Sequence, residues 1–494
     1  MNVLLLSMPD SFEHMAPVTV RMPNGALASL AGNVDEHHRV AVADLILVQE
    51  RVAETVDRLV DAHRPDVVGL SVMTFQRHTA RRIIARVRAR RPEARIVVGG
   101  YDPSLAPEAW AECVDFLVRG EGEATFSELL RALEGGAGFE GIRGLAHRSG
   151  GRWVTNPPRP VSRPEAGEVR PPNRAARVLG GYTLLGRQVD VVETSRGCTF
   201  DCSFCSIVEM RGRNFHPFPL GRVLDDIRDA RDRGARAVFL VDDNITLDVG
   251  RFEELLRAIV EARLHRVEYL VQAMTSSIAS AGATLVPLMK EAGFRYVFLG
   301  IENVLDADLG FLKASAKNAR REHGRRVGNA TQAAIDALHR HGLLVVGGLI
   351  VGNPGDTREA VEANLDFARS NVDWPYIQHP TPYPATPMTQ DLAQRGLIGS
   401  EDVSEYDGTT AVVRNEHLDA DEIEFLRWRA ERHMKLRHFP VALRHSPWFV
   451  LRHARRMLAH TFRGSTWRSA LGLESERAAF ARYKALRRAE RHYL

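Results

Sequence analysis

Cysteine is scarce, at four in 494 residues. So few argue against a disulfide-stapled secreted scaffold and for a reducing compartment. No apolar stretch reaches 18 residues, so no membrane-spanning helix is expected. The opening M-N-V-L-L-L-S-M-P-D lacks the basic start and long apolar run of a signal peptide. It reads as a buried strand, and the cytoplasm is the expected location. No internal repeat or low-complexity tract stands out. Net charge is also small, at a formal +4, but it is unevenly spread. Residues 426–494 hold 17 Lys and Arg against 4 Asp and Glu, a net +13 that leaves −9 for the rest. A basic tail suits an anionic partner or simply solvated helix faces. With Trp and Phe among the arginines of 444–468, peripheral contact with a membrane is expected of 426–494, and no nucleic acid is expected.

The chemistry is concentrated where three of the four cysteines sit, Cys198, Cys202 and Cys205, in T-S-R-G-C-T-F-D-C-S-F-C. Thiolates suit iron–sulfur clusters or zinc. A [4Fe–4S] cluster normally takes four thiolates, and Cys113 lies far upstream. Three ligands on one cluster leave an iron open, which marks chemistry rather than structure. A three-thiolate zinc site completed by His216 and a set of buried structural thiols are the alternatives.

Around this loop the chain alternates strand and helix patterns. Apolar runs at 3–9, 40–45, 66–72, 94–100 and 114–120 are separated by helix-period segments such as 50–63 and 77–91. They predict a parallel α/β domain over 1–138. Proline- and glycine-rich 139–186 reads as a linker with one small hairpin near Leu145–Val154. From 187 to 392 six further strands, at 189–194, 237–242, 268–273, 296–301, 344–350 and 375–380, alternate with helices at 219–234, 250–264, 283–293, 327–342 and 357–371. Six β/α units predict a partial barrel with its site at the carboxyl ends of the strands. Residues 393–494 read as a helical, basic region.

Four further segments follow the strands in order: Asp242-Asp243-Asn244, then Gly300-Ile301-Glu302-Asn303, then G-L-I-V-G-N-P-G at 348–355, and T-P-Y-P-A-T-P at 381–387. With Phe204 placing an aromatic inside the cysteine motif, this set resembles the radical S-adenosylmethionine (SAM) superfamily, whose core is an open (β/α)6 barrel. The first domain resembles the Rossmann-like cobalamin-binding domain that precedes many such barrels, in the subgroup of magnesium-protoporphyrin cyclase and the hopanoid enzymes.

The resemblance implies three cofactors: a [4Fe–4S] cluster on Cys198, Cys202 and Cys205, SAM on its open iron, and cobalamin. SAM would meet Phe204, Asp242, Asp243, Asn244, Gly300, Glu302, Gly348, Ile350 and Gly352. Cobalamin would meet Ser71, Met73, Thr74, Gly99, Gly100, Gly120, Glu121 and Gly122. The D-x-H-x-x-G motif for a lower cobalt ligand is missing. Asp10 and His14 have the wrong spacing, Val40 replaces the glycine after Asp35 and His37, and His37 and His38 read as loop residues. Cobalamin without a histidine lower ligand is therefore expected.

His379 and Tyr383 are candidates for the substrate side. The implied activity starts from a 5′-deoxyadenosyl radical and attacks an unactivated carbon, with C-methylation foremost. Cyclisation, oxidation or carbon–carbon coupling without methyl transfer is the alternative, and a cobalamin carrier or sensor the non-enzymatic one. Methylthiolation would need a second three-cysteine cluster that Cys113 alone cannot supply. A small, hydrophobic or lipid-like substrate and an electron donor such as flavodoxin or ferredoxin complete the expectation.

Overall fold

The fold is that of a computed structural model, which describes residues 1–11, 19–322, 325–462, 469, 471–490 and 493–494. His14 and Trp467 lie outside the described residues.

The first sheet is built from β1 (Asn2–Ser7), β2 (Arg39–Asp44), β3 (Val67–Ser71), β4 (Arg95–Gly99), β5 (Phe116–Val118), β6 (Leu145–Ser149) and β7 (Arg152–Thr155). Its spatial order is β2-β1-β3-β4-β5-β6-β7. The first five strands are parallel, and β6–β7 is an antiparallel hairpin added to the edge. Strands such as Val3-Leu4-Leu5-Leu6 are apolar throughout because separate hydrophobic clusters cover both faces of the sheet. The 2-1-3-4-5 order is doubly wound, with its topological switch between β1 and β3.

The second sheet contains β8 (Arg187–Val192), β9 (Ala237–Leu240), β10 (Glu268–Met274), β11 (Phe294–Glu302), β12 (Leu344–Ile350) and β13 (Trp374–Gln378), in sequence order and all parallel. It curls into the open six-stranded half-barrel, with one large core between strands and outer helices. Beyond β8 it is extended by two-residue strands at Thr183–Leu184 and Val20–Arg21. A hairpin, Ala319–Glu322 with Arg325–Asn329, is inserted after β11.

The segment 139–186 is more than a linker. Asn156, buried, donates to the carbonyls of Phe139 and Ile142 at 2.7 and 2.9 Å. Tyr182 donates 2.6 Å to the buried Asp44 at the end of β2. Arg174, buried in the same segment, pairs with Asp190 of β8 and with Asp226. Proline and glycine here mark a fixed strap across both sheets, not a free tether. Among the described residues no helix is long and apolar enough to cross a membrane.

The basic C-terminal region is partly neutralised from within. In its last helix, Glu476–Glu490, the buried Arg487 donates 2.6 Å to Asp407 and 3.1 Å to Glu424, and Arg477, Arg482 and Lys484 also meet carboxylates.

Candidate active site

The cysteine loop leaves β8 and is pinned before it reaches Cys198. Asp242, just past β9, accepts from the Thr194 N–H at 2.7 Å and from the Thr194 and Ser195 hydroxyls at 2.5 Å each. At 1% exposure its carboxyl is pushed up to about 7 by burial. Both oxygens accept from the loop, which Asp242 braces from behind. Asp243 accepts from the Gly197 N–H at 2.8 Å and from Arg211 at 3.2 Å. The Asn244 amide points at Cys198 Sγ, 3.7 Å away. Gly197 is left-handed (φ +91), and a Cβ there would come within 2.3 Å of Asn214 Oδ1. Only glycine lets the chain turn into the cysteines.

Cys202 is buried, and Cys198 and Cys205 are half-buried. Burial pushes the Cys202 thiol up to about 12 and the Cys205 thiol to about 11. Such thiols ionise only against a strong positive charge, and a coordinated metal is the usual one. No fourth cysteine joins them, because Cys113 packs against the core of the first domain. His216 turns away to Glu165, at 3.1 Å, which weakens the zinc alternative. The donor set fits a cluster with one iron left open.

Glu302 ends β11 in the left-handed region (φ +61), at a break in the β11–β12 register between Gly300 and Glu302. Non-glycine residues hold that conformation at a cost of about 1–3 kcal/mol, and it clusters at functional sites. Glu302 pairs with Lys317 at 2.8 Å. Burial would lower the Lys317 ammonium, but Glu302 and the Cys202 thiol raise it above its ordinary value. Lys317 was missed in the sequence, where it is one lysine in a featureless loop.

At the end of β12, a Cβ on Gly348 would come within 2.9 Å of the Phe298 ring, and Gly352 (φ +89) lies against Ile423. Asp356 accepts from the N–H groups of Gly352 and Asn353 at 2.8 and 2.9 Å. Ile350 is buried in a cluster that Phe204, Tyr383 and Met73 pack against. Tyr383 thus packs on the same cluster as Phe204 of the cysteine loop. His379 does not reach an open mouth: it is 3% exposed, and its Nδ1–H donates 3.0 Å to the Val351 carbonyl. Burial holds the ring down to about 3, so it stays neutral.

A cavity of about 570 Å³ lies at the carboxyl ends of the first domain's strands, at the switch point, and is also lined by Arg174, Glu193, Arg196, Arg211 and Arg222 from the strap and the second domain. Ser71, Met73, Gly99, Gly100, Gly120, Glu121 and Gly122 all line it, whereas Thr74 is buried behind. Gly100 (φ +106) has Val72 O 2.7 Å from where a Cβ would stand, and Gly120 is also left-handed (φ +72). The inner end is apolar, between Leu5, Gly69, Val97 and Phe126. A deep apolar slot under a rim of glycine turns fits a corrinoid with a long tail. His37 and His38 lie elsewhere, in the loop entering β2, where His37 pairs with Glu134 at 2.8 Å.

The two half-sites are joined by buried charge. Arg196, two residues before Cys198, donates 2.7 Å to Glu123 on the rim of the cavity and 2.9 Å to Glu193. Ser29 adds 2.6 Å to Glu123. Burial would raise the Glu123 carboxyl, but Arg196 and Ser29 hold it at about 2. Glu193, also on Arg196, is raised by burial. One guanidinium thus ties the glycine turn of the first domain to the cysteine loop of the second. No sequence motif marks Arg196; its only signal is position within the loop.

Comparison with known proteins gives the same order of domains. The family model described as B12 binding domain matches residues 15–130, and that of the Radical SAM superfamily matches 192–368. An uncharacterised methyltransferase of Pyrococcus horikoshii is 28% identical over 86% of this chain and 90% of its own. The anaerobic magnesium-protoporphyrin IX monomethyl ester cyclase of Cereibacter sphaeroides is 25% identical over 82% of this chain and 65% of its own. The solved structure of the radical SAM methyltransferase TsrM from Kitasatospora setae, with cobalamin and a [4Fe–4S] cluster bound, superposes with a TM-score of 0.63 at 22% identity. It covers 80% of this chain and 75% of that one. At that identity the likeness establishes the fold.

Proposed function

We propose that this chain, which belongs to the radical SAM superfamily and carries a B12-binding domain ahead of its radical SAM domain, is a cobalamin-dependent C-methyltransferase acting on an unactivated carbon of a small molecule. The observation that carries the reading is the Glu123–Arg196 contact, which sets the cavity rim of the first domain against the cysteine loop of the second. When bound, the cluster with SAM supplies a 5′-deoxyadenosyl radical and cobalamin supplies the methyl group.

Cys198, Cys202 and Cys205 would hold the cluster. Asp243, Asn244 and Glu302, with the backbone of Gly300, Gly348, Ile350 and Gly352 and the ring of Phe204, would hold SAM. Asp242 orients the loop from behind. Ser71, Met73, Gly99, Gly100, Gly120, Glu121 and Gly122 would cradle the corrinoid, with Thr74 supporting their turn. Tyr383 would face the substrate, and His379, neutral and buried, would fix the end of β13. Placing both cofactors between two packed sheets keeps water from the reacting carbon. The substrate is hydrophobic or lipid-like, met in the cytoplasm at a membrane face that residues 426–494 approach. Electrons come from a flavodoxin or ferredoxin.

The methyltransferase name of the Pyrococcus relative supports this reading. The cyclase match supports a second, cyclisation or oxidation without methyl transfer. Turnover with methyl-deuterated SAM and dithionite separates them. Methyl transfer predicts 5′-deoxyadenosine and S-adenosylhomocysteine together, with the label in the product. A converted substrate without label or S-adenosylhomocysteine would sink it in favour of the second reading.

A further inference from the structure

We infer that the helix Pro447–Thr461 is a docking element for the surface of an anionic lipid bilayer. This narrows the membrane part of the proposed function to one helix and one lipid chemistry, and rests on that part alone. The helix, P-W-F-V-L-R-H-A-R-R-M-L-A-H-T, contains no acidic residue. At 3.6 residues per turn, Trp448, Leu451, Arg452, Arg455, Arg456 and Leu458 fall within about 160° of arc. All six are exposed, Trp448 at 83%, Leu451 at 62% and Leu458 at 40%.

The other side seats the helix on the protein. Val450 is buried, and the Phe449 ring lies 2.8 Å from where a Cβ on Gly186 would stand, in the turn before β8. The outward face therefore belongs to a helix already fixed in place. Its arginines differ from those of the last helix. Arg477, Arg482, Lys484 and Arg487 each meet a carboxylate. Among the described residues Arg452, Arg455 and Arg456 form no ion pair.

Unspent cations beside a Trp–Leu–Leu row match an interface with anionic headgroups above and acyl chains below. A nucleic-acid backbone would satisfy the arginines and leave the leucines against phosphate. A protein groove would take the leucines, but nothing there calls for three unpaired arginines.

The test is flotation of the full-length protein with vesicles of phosphatidylcholine alone or mixed equally with phosphatidylglycerol. Wild type should float only with the anionic vesicles, and less so in high salt. The triple variant R452Q/R455Q/R456Q should partition on the order of 100-fold less, at about fivefold per arginine. W448S/L451S/L458S should stay at the bottom. Both variants should keep the wild-type circular dichroism and the rate of 5′-deoxyadenosine release, which separates this proposal from the fate of the methyl-transfer reading. Wild type remaining at the bottom with anionic vesicles overturns the proposal, as does either variant floating like wild type. A wild-type dimer that W448S/L451S/L458S dissociates, without vesicle binding, also overturns it and assigns the face to a second copy.

Discussion

Replacing Arg196 by methionine tests the join between the two half-sites. The substitution keeps most of the volume and removes the charge that Glu123 and Glu193 share at 2.7 and 2.9 Å. Glu123 is held at about 2 against an ordinary 4.5. The difference corresponds to about 3 kcal/mol at neutral pH, within the about 3–5 kcal/mol typical of breaking a buried pair from one side. Because the folded-state value is depressed, this stability is present above pH 4.5 and lost as pH falls towards 2. The gap between wild type and R196M should be full at pH 7 and close on acidification. In urea denaturation followed by circular dichroism, 3 kcal/mol moves the midpoint down by about 1 M. The double variant E123Q/R196M, which removes the Glu123 carboxylate and leaves only Glu193 short of its close cation, should regain part of the loss. A midpoint within 0.3 M of wild type (about 1 kcal/mol or less), with unchanged cofactor loading, would refute Arg196 as the tie.

Three further outcomes are expected. Gly100→Ala places a Cβ 2.7 Å from the Val72 carbonyl at φ +106, so cobalamin retention after gel filtration should fall at least about tenfold, about 1.4 kcal/mol, while iron content holds. Lys317→Met removes the cation that pairs with Glu302 and lies near Cys202 and Cys205; the reconstituted cluster should become harder to reduce, read as a lower midpoint potential by electron paramagnetic resonance. His379 is held down to about 3 by burial against an ordinary 6.5. Its stability contribution is present above pH 6.5 and declines as pH falls towards 3. His379→Gln should therefore flatten the stability profile between pH 7 and 5, and an unchanged slope would contradict the assignment.

Local features were legible in the sequence. The cysteine loop announces itself because three of the four cysteines lie within eight residues, and the strands because doubly covered strands are apolar runs. Leu344–Ile350 falls at the expected residues, and the others within a few. The helix expected at 283–293 begins at Thr275. Its first turns, T-S-S-I-A-S-A-G, are poor in apolar residues, and tertiary bonds hold them: Thr275 donates to Asn318 at 2.6 Å and Ser277 to the Thr246 carbonyl at 2.9 Å. The hairpin after β11 is charged and has no alternating pattern to reveal it. What escaped entirely were contacts between distant segments, such as Glu123 with Arg196, 73 residues apart, and Glu302 with Lys317. The inward turn of Asp242 was hidden for the same reason, since a D-D-N run does not say which carboxylate faces the loop. The net charge of the tail was readable, but not that the cations of the last helix meet carboxylates while Arg452, Arg455 and Arg456 form no ion pair among the described residues.

The proposed function requires one chain to hold a corrinoid and a three-cysteine cluster side by side. Anaerobic reconstitution with iron, sulfide and hydroxocobalamin, followed by gel filtration and metal analysis, tests it most directly. About four irons and one cobalamin per chain are expected, with C198A/C202A/C205A losing the iron and keeping the corrinoid. Zinc in place of iron, or cobalamin that washes off wild type and Gly100→Ala alike, would contradict it.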